Sequence, residues 1–169
     1  RGGDRPEFIR ALLQHLHGPV EVLDNQPGEG AELARTERCV ALDAGCCCCD
    51  GFEQLAGQLR AARARGSGWL VLNAAWRAQP ADLVLRLAER LPEVRLDAVI
   101  AVLPAEHLRR GPDNGEPVLQ QILESDLVVV SNASVLAPQQ AIQMERQLHR
   151  INSQAVVLFA DEGSGVDPR

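Results

Sequence analysis

Short apolar runs alternate with helical patterns along most of this sequence. The apolar runs predict six strands, at residues 20–23, 39–42, 69–72, 98–103, 127–130 and 155–159. Helical spacing predicts helices at 8–16, 52–62, 80–91, 116–125 and 138–151, and Asp50 is placed to cap the second of them. Strands that are apolar along their whole length are typical of a parallel sheet covered by helices on both faces. The sequence therefore predicts an α/β fold, a three-layer sandwich with a mainly parallel sheet and sites at the carboxyl ends of its strands.

The length and composition favour one globular domain. The chain has 169 residues, of which 46% are hydrophobic and only 3% aromatic, so Leu, Val, Ile and Ala must build the core. We expect a domain over residues 1–160 and a flexible tail over 161–169. A net charge of -6 and the absence of Tyr argue against a nucleic-acid partner. No apolar run approaches the roughly 18 residues of a membrane span, so we expect no membrane partner.

Every one of the 17 basic residues is an arginine. Without lysine the chain cannot form a Schiff base, and no lysine can reach the phosphates of a nucleotide from a phosphate-binding loop. The composition thus excludes two kinds of chemistry that depend on an ε-amine.

Four of the five cysteines are consecutive, Cys46 to Cys49, and directly follow the predicted strand that contains Cys39. We call residues 45–49 the cysteine loop. Four consecutive cysteines cannot form the disulfides between distant segments that small secreted proteins use. The pattern therefore predicts a reducing compartment, the cytoplasm. Their thiols would then be available for metal binding or redox chemistry.

Several motifs together resemble those of the CobW-type P-loop GTPases. Gly45 with Cys46, Cys48 and Cys49 resembles the family's GCxCC signature. Residues 25–29 (NQPGE), 71–80 (VLNAAWRAQP) and 96–108 (LDAVIAVLPAEHL) resemble the family's NEFGE, VIETSGLADP and LDGVVTVVDAAHL segments in the same order. The resemblance spans almost the whole chain, although the family's strand before the phosphate loop is not among these residues. It implies a P-loop NTPase-like fold, with residues 1–160 as a CobW-like nucleotide-binding-type domain.

The resemblance also locates a degenerate nucleotide site. Where the family has GAGKTT, this chain has Arg5 at the lysine position, and Pro6 and Glu7 replace the two hydroxyl residues. The residues that correspond to the family's nucleotide-binding positions are Gly2, Gly3, Arg5, Asn73 and Ser131. Phosphoryl transfer needs the lysine, Mg²⁺ and their partners to act together. We therefore expect little or no GTP hydrolysis, and we assign no catalytic residue.

The cysteine motif, in contrast, retains its sulfur ligands. Three thiolates, from Cys46, Cys48 and Cys49, suit Zn²⁺ or Cu⁺, and Cys47 or Cys39 is a candidate fourth ligand. The leading hypothesis is a CobW-like metallochaperone-family protein that holds zinc at this loop and docks to a client protein. Two alternatives remain open: an atypical GTPase with Mg²⁺ in which Arg5 serves for lysine, and a thiol-redox switch.

Overall fold

The computed structural model describes residues 4–26, 38–43, 45–76, 78–109 and 116–161. The chain divides into two units, one formed by residues 1–78 and 82–94 and the other by 79–81 and 95–169. Within the described ranges, no helix is both long enough and apolar enough to cross a membrane.

The first unit contains a three-stranded parallel sheet. Its elements are α1 (Asp4–His15), β1 (Val20–Asp24), β2 (Arg38–Ala41), α2 (Phe52–Ala64), β3 (Trp69–Asn73) and most of α3 (Pro80–Arg90). The strand order is β2-β1-β3, so β1 lies in the centre. All five residues of β1 are buried, as expected for a parallel strand covered on both faces.

The two faces of this sheet pack against different helices. On one face, Val22 of β1 and Val71 of β3 contact Ile9 of α1. On the other face, Leu23 and Leu72 pack with α2 and α3 in a larger cluster. Helix α2 contributes a stripe with helical periodicity to that cluster, namely Phe52, Leu55, Ala56 and Leu59. The side of the sheet that a strand residue faces thus follows from its alternation along the strand.

The second unit contains a second three-stranded parallel sheet. Its elements are β4 (Ile100–Pro104), α4 (Ala105–Arg109), α5 (Glu116–Leu123), β5 (Leu127–Ser131), a 3₁₀ turn (Ala133–Val135), α6 (Pro138–Ile151) and β6 (Val156–Phe159). The strand order is β4-β5-β6. Val128 and Val130 of the central strand are fully buried and pack with Met144 and Leu148 of α6.

The predicted α/β fold with parallel strands is confirmed, and each of the six predicted strands is present within a few residues of its expected bounds. Each unit contains one sheet of three of these strands. One local expectation was wrong: α2 begins after Gly51, and no side chain caps it, so Asp50 lies in the preceding turn. Of the predicted tail, residues 162–169 lie outside the described part of the chain.

Candidate metal centre

The cysteine loop lies between β2 and α2 and begins with a backbone conformation that favours glycine. Gly45 has a φ of +139°, which L side chains rarely adopt. The loop then closes on itself, because the carbonyl oxygen of Cys46 accepts hydrogen bonds from the N–H groups of Cys49 and Gly51, each at 3.0 Å. These bonds turn the chain tightly into α2 and hold the cysteines in one short turn.

Three sulfur atoms converge in this turn. The Sγ atoms of Cys46, Cys48 and Cys49 all lie within 4.8 Å of one another. Cys48 is buried, Cys46 is half-buried and Cys49 is exposed. The cluster therefore sits at the surface of the first unit, with one sulfur open to solvent.

Burial favours the neutral thiol at Cys46. Burial first, and then a hydrogen bond to the Cys48 side chain, raises the pKa of Cys46 to about 12. A metal ion that binds through this sulfur must displace its proton, so metal affinity at the cluster increases with pH.

The other two cysteines point elsewhere. Cys47 is fully buried in the cluster formed with α2 and α3. Burial, and then the neighbouring Cys48, raises the pKa of Cys47 to about 11. A hydrogen bond from the backbone of Ala75 lowers this pKa but does not cancel the rise. Cys39 packs with Val22 and Ile9 on the face of the sheet that α1 covers. Among the described residues, the structure thus brings neither candidate fourth ligand into the group of three sulfurs.

The donor set fits a soft or borderline metal ion. A tetrahedral Zn²⁺ with Zn–S bonds of about 2.3 Å places its sulfurs about 3.8 Å apart, and the three thiols are close enough to share one such ion. Cys46, Cys48 and Cys49 would hold the metal, and a fourth position would be left for water or a ligand from another molecule.

Polar side chains lie at the carboxyl ends of β1 and β3, and one of them, Asn25, bonds to the loop. Asn25 donates through Nδ2 to the carbonyl oxygen of Gly45 at 2.9 Å, and its Oδ1 accepts the N–H of Cys47 at 3.2 Å. Asn73, 2% exposed, donates through Nδ2 to Asp24 Oδ1 at 2.8 Å. Asp24 and Asn25 were not among the expected site residues. Asp24 ends an apolar strand and Asn25 follows it, at the edge where sites of parallel sheets form.

The residues expected at the nucleotide site are placed as follows. Arg5, in the first turn of α1, donates from Nη1 to the carbonyl oxygen of Ala74 at 3.1 Å. Asn73 ends β3 in the same unit, whereas Ser131, 6% exposed, ends β5 in the second unit. Gly2 and Gly3 lie outside the described residues.

Comparison with known proteins identifies related sequences and folds. A family model described as "CobW/HypB/UreG, nucleotide-binding domain" matches residues 8–159. Comparison with curated proteins gives no match.

Solved structures with the same fold include two of the YjiA GTPase. The Zn(II)-bound YjiA GTPase from E. coli has a TM-score of 0.70 and 18% identity, over 99% of this chain and 56% of that one. A Zn(II)-bound triple mutant of YjiA has a TM-score of 0.71 and 20% identity, over 98% of this chain and 56% of that one. The hydrogenase maturation factor HypB from Archaeoglobus fulgidus has a TM-score of 0.61 and 13% identity, over 94% of this chain and 76% of that one. This chain therefore spans little more than half the length of YjiA.

Proposed function

Because the chain belongs to the CobW/HypB/UreG family of nucleotide-binding domains, we propose that it holds a Zn²⁺ ion through the thiolates of Cys46, Cys48 and Cys49. The observation that carries this proposal is the approach of three sulfur atoms to within 4.8 Å of one another. Support also comes from the Zn(II)-bound state of a solved structure that shares the fold. Thiolates are ligands that Zn²⁺ binds readily, and the Zn–S bonds offset the cost of removing the thiol protons.

The zinc site would be open for exchange. A structural zinc site is closed by four protein ligands, whereas three leave a coordination position for another molecule. The exposure of Cys49 gives that position access to solvent. A client protein that offers a sulfur or imidazole ligand could accept the ion there, which is the behaviour expected of a metallochaperone in a reducing, cytoplasmic setting.

Metal analysis of gently purified full chain tests this function. We expect about one Zn²⁺ per chain, lost when Cys46, Cys48 and Cys49 are changed together to Ser. Cys39→Ser is the matched control, since Cys39 lies on the α1 face of the sheet, and it should retain the metal. Metal-free wild-type protein with three freely reactive thiols in the loop would contradict the proposal.

We also propose that GTP hydrolysis is weak or absent in this chain. One guanidinium nitrogen of Arg5 donates a hydrogen bond to the carbonyl oxygen of Ala74. Pro6 has no backbone N–H that could bind a phosphate. Phosphoryl transfer depends on a lysine and on Mg²⁺ held by a hydroxyl group, and at those positions this sequence has Arg5, Pro6 and Glu7. GTP turnover with Mg²⁺ that Arg5→Ala abolishes would instead favour the alternative, an atypical GTP-hydrolysing metallochaperone. A fluorescent-GTP titration measures binding separately from hydrolysis.

The same sulfur geometry supports a thiol-redox switch as a second candidate. Two neighbouring thiols can form a disulfide by giving two electrons and two protons to hydrogen peroxide, which becomes two waters. A reversible loss of two free thiols under mild peroxide, in protein that binds no metal, would favour this function over zinc binding.

A further inference from the structure

Arg86, on helix α3, contacts the end of the cysteine loop. Its Nη1 donates to the carbonyl oxygen of Cys49 at 3.4 Å, and its guanidinium carbon lies 5.7 Å from the centroid of the Phe52 ring. The same carbonyl oxygen accepts the N–H of Phe52 at 3.3 Å. One guanidinium thus joins α3 to the last cysteine of the loop and to the first residue of α2.

The contact places a positive charge beside a site that becomes negative when it binds metal. Three thiolates and one divalent ion carry a net charge of -1. Asp43, Asp50 and Glu53 are exposed acidic residues next to the loop or in the first turn of α2. Glu53 forms an ion pair with Arg90 at 2.9 Å. Asp43 and Asp50 repel the negatively charged metal–trithiolate group, and a cation beside the loop offsets this repulsion.

We propose that Arg86 is a positioning residue of the metal site: it fixes the end of the cysteine loop through the Cys49 carbonyl and supplies the counter-charge for the metal–trithiolate complex. This inference rests on the proposed zinc function. Groups that orient metal ligands from outside the coordination sphere contribute to metal affinity, because they reduce the cost of arranging and charging the ligands.

The helix offers its own control at Arg90, one turn further along α3. Arg90 has the same charge, but it pairs with Glu53, and both side chains are largely exposed, at 59% and 70%. Such a pair contributes little, and it involves no cysteine. A comparison of Arg86 with Arg90 therefore separates contact with the loop from a general change in charge.

The experiment measures Zn²⁺ affinity of the full chain by competition with a chelating indicator, together with the thiolate charge-transfer absorption of the Co²⁺ form. We expect Arg86→Gln to weaken Zn²⁺ binding by about tenfold. This is the low end of the losses found when a group that orients a metal ligand is removed, because Arg86 is exposed. Arg86→Lys, which keeps the charge, should recover most of the affinity. Arg90→Gln should weaken Zn²⁺ binding far less than Arg86→Gln, because the Arg90–Glu53 pair is exposed and touches no cysteine. The difference between wild type and Arg86→Gln should shrink at high salt, because salt screens an exposed charge.

Three results would overturn the proposal: unchanged Zn²⁺ affinity in Arg86→Gln, an equal loss in Arg90→Gln, or an Arg86→Lys variant as weak as Arg86→Gln. If Arg86→Gln does not fold, Arg86→Met, which keeps the aliphatic part of the side chain beside Phe52, takes its place, and an unchanged Zn²⁺ affinity in that variant contradicts the role of Arg86. In all these cases the zinc function stands as long as the wild type binds about one Zn²⁺. A wild type that binds none overturns the zinc function itself, and the role of Arg86 with it.

Discussion

The backbone N–H of Cys47 donates a hydrogen bond to the side-chain oxygen of Asn25 at 3.2 Å, across 22 positions of the sequence. Asn25 is only 5% exposed, and its amide nitrogen also donates to Gly45 at 2.9 Å. One side chain at the carboxyl end of β1 therefore fixes both the first residue and the middle of the cysteine loop. We therefore expect Asn25 to help hold the three sulfur atoms in place.

Removal of the Asn25 side chain should weaken both the fold and the metal site. Asn25→Ala leaves the buried N–H of Cys47 without its acceptor, which we expect to lower the free energy of unfolding by about 1–3 kcal/mol. Zn²⁺ affinity should fall as well, since the loop is less well held. The matched control is Gln54→Ala, which removes two exposed hydrogen bonds to Asp43 and should change stability by less than about 0.5 kcal/mol. Urea unfolding with the chelator titration measures both quantities, and equal effects of the two variants would contradict the role of Asn25.

Two glycines near the loop provide a second paired test. A Cβ on Gly51 would lie 3.2 Å from the carbonyl oxygen of Cys46, the atom that closes the loop, whereas a Cβ on Gly57 of α2 would meet nothing within 4 Å. Gly51→Ala should push that carbonyl away, lower the free energy of unfolding by about 1 kcal/mol and weaken Zn²⁺ binding. Gly57→Ala should stabilise the protein by about 0.5–1 kcal/mol and leave Zn²⁺ binding unchanged, since it only improves helix propensity. Thermal unfolding and metal titration of both variants check this, and a stabilising Gly51→Ala would show that the turn is not tight.

The sequence predicted what depends on local pattern. Apolar runs identified the strands, and adjacency in the chain placed Cys46, Cys48 and Cys49 in one loop, where their sulfurs do lie together. The position of Cys47 between its neighbours could not predict that its side chain is buried in the core, because its burial depends on how α2 and α3 pack against the loop. The side of the sheet that Cys39 faces also depends on strand register. The side-chain contacts of Asn25 and Arg86 join residues 22 and 37 positions apart, and no local pattern reports contacts of that range.

A buried carboxylate stabilises the opposite end of β1. Glu21 is 1% exposed, accepts a 2.5 Å hydrogen bond from Arg65 and accepts another from the hydroxyl of Ser67. Glu21→Ala removes the acceptor of both groups, and we expect a loss of about 2 kcal/mol in the free energy of unfolding, less than for a fully buried pair because Arg65 stays partly solvated. The control is Glu53→Ala. Because the Glu53–Arg90 ion pair is exposed, this variant should lower the free energy of unfolding by less than about 1 kcal/mol. Glu21→Ala should leave Zn²⁺ affinity unchanged. Weaker Zn²⁺ binding without a loss of stability would contradict a purely stabilising role for Glu21.

The thiol of Cys39 should make stability sensitive to alkaline pH. Burial, and then the nearby Asp24 carboxylate, raises the pKa of Cys39 above its ordinary value of 9.0 in the folded protein. Below pH 9 the thiol is neutral in both states. As the pH rises further, the unfolded chain loses this proton first, so the free energy of unfolding falls until the folded thiol also ionises. In Cys39→Val, which keeps an apolar side chain of similar size, this part of the decline should be absent.

Urea unfolding of metal-free protein between pH 7 and 11 checks the role of Cys39. The difference between wild type and Cys39→Val should be constant below pH 9 and should shift in favour of the variant above it. Val40→Ala, at the next position of β2, carries no titratable group and should lower stability by the same amount at every pH. Parallel curves for wild type and Cys39→Val across the whole range would show that Cys39 ionises equally easily in both states.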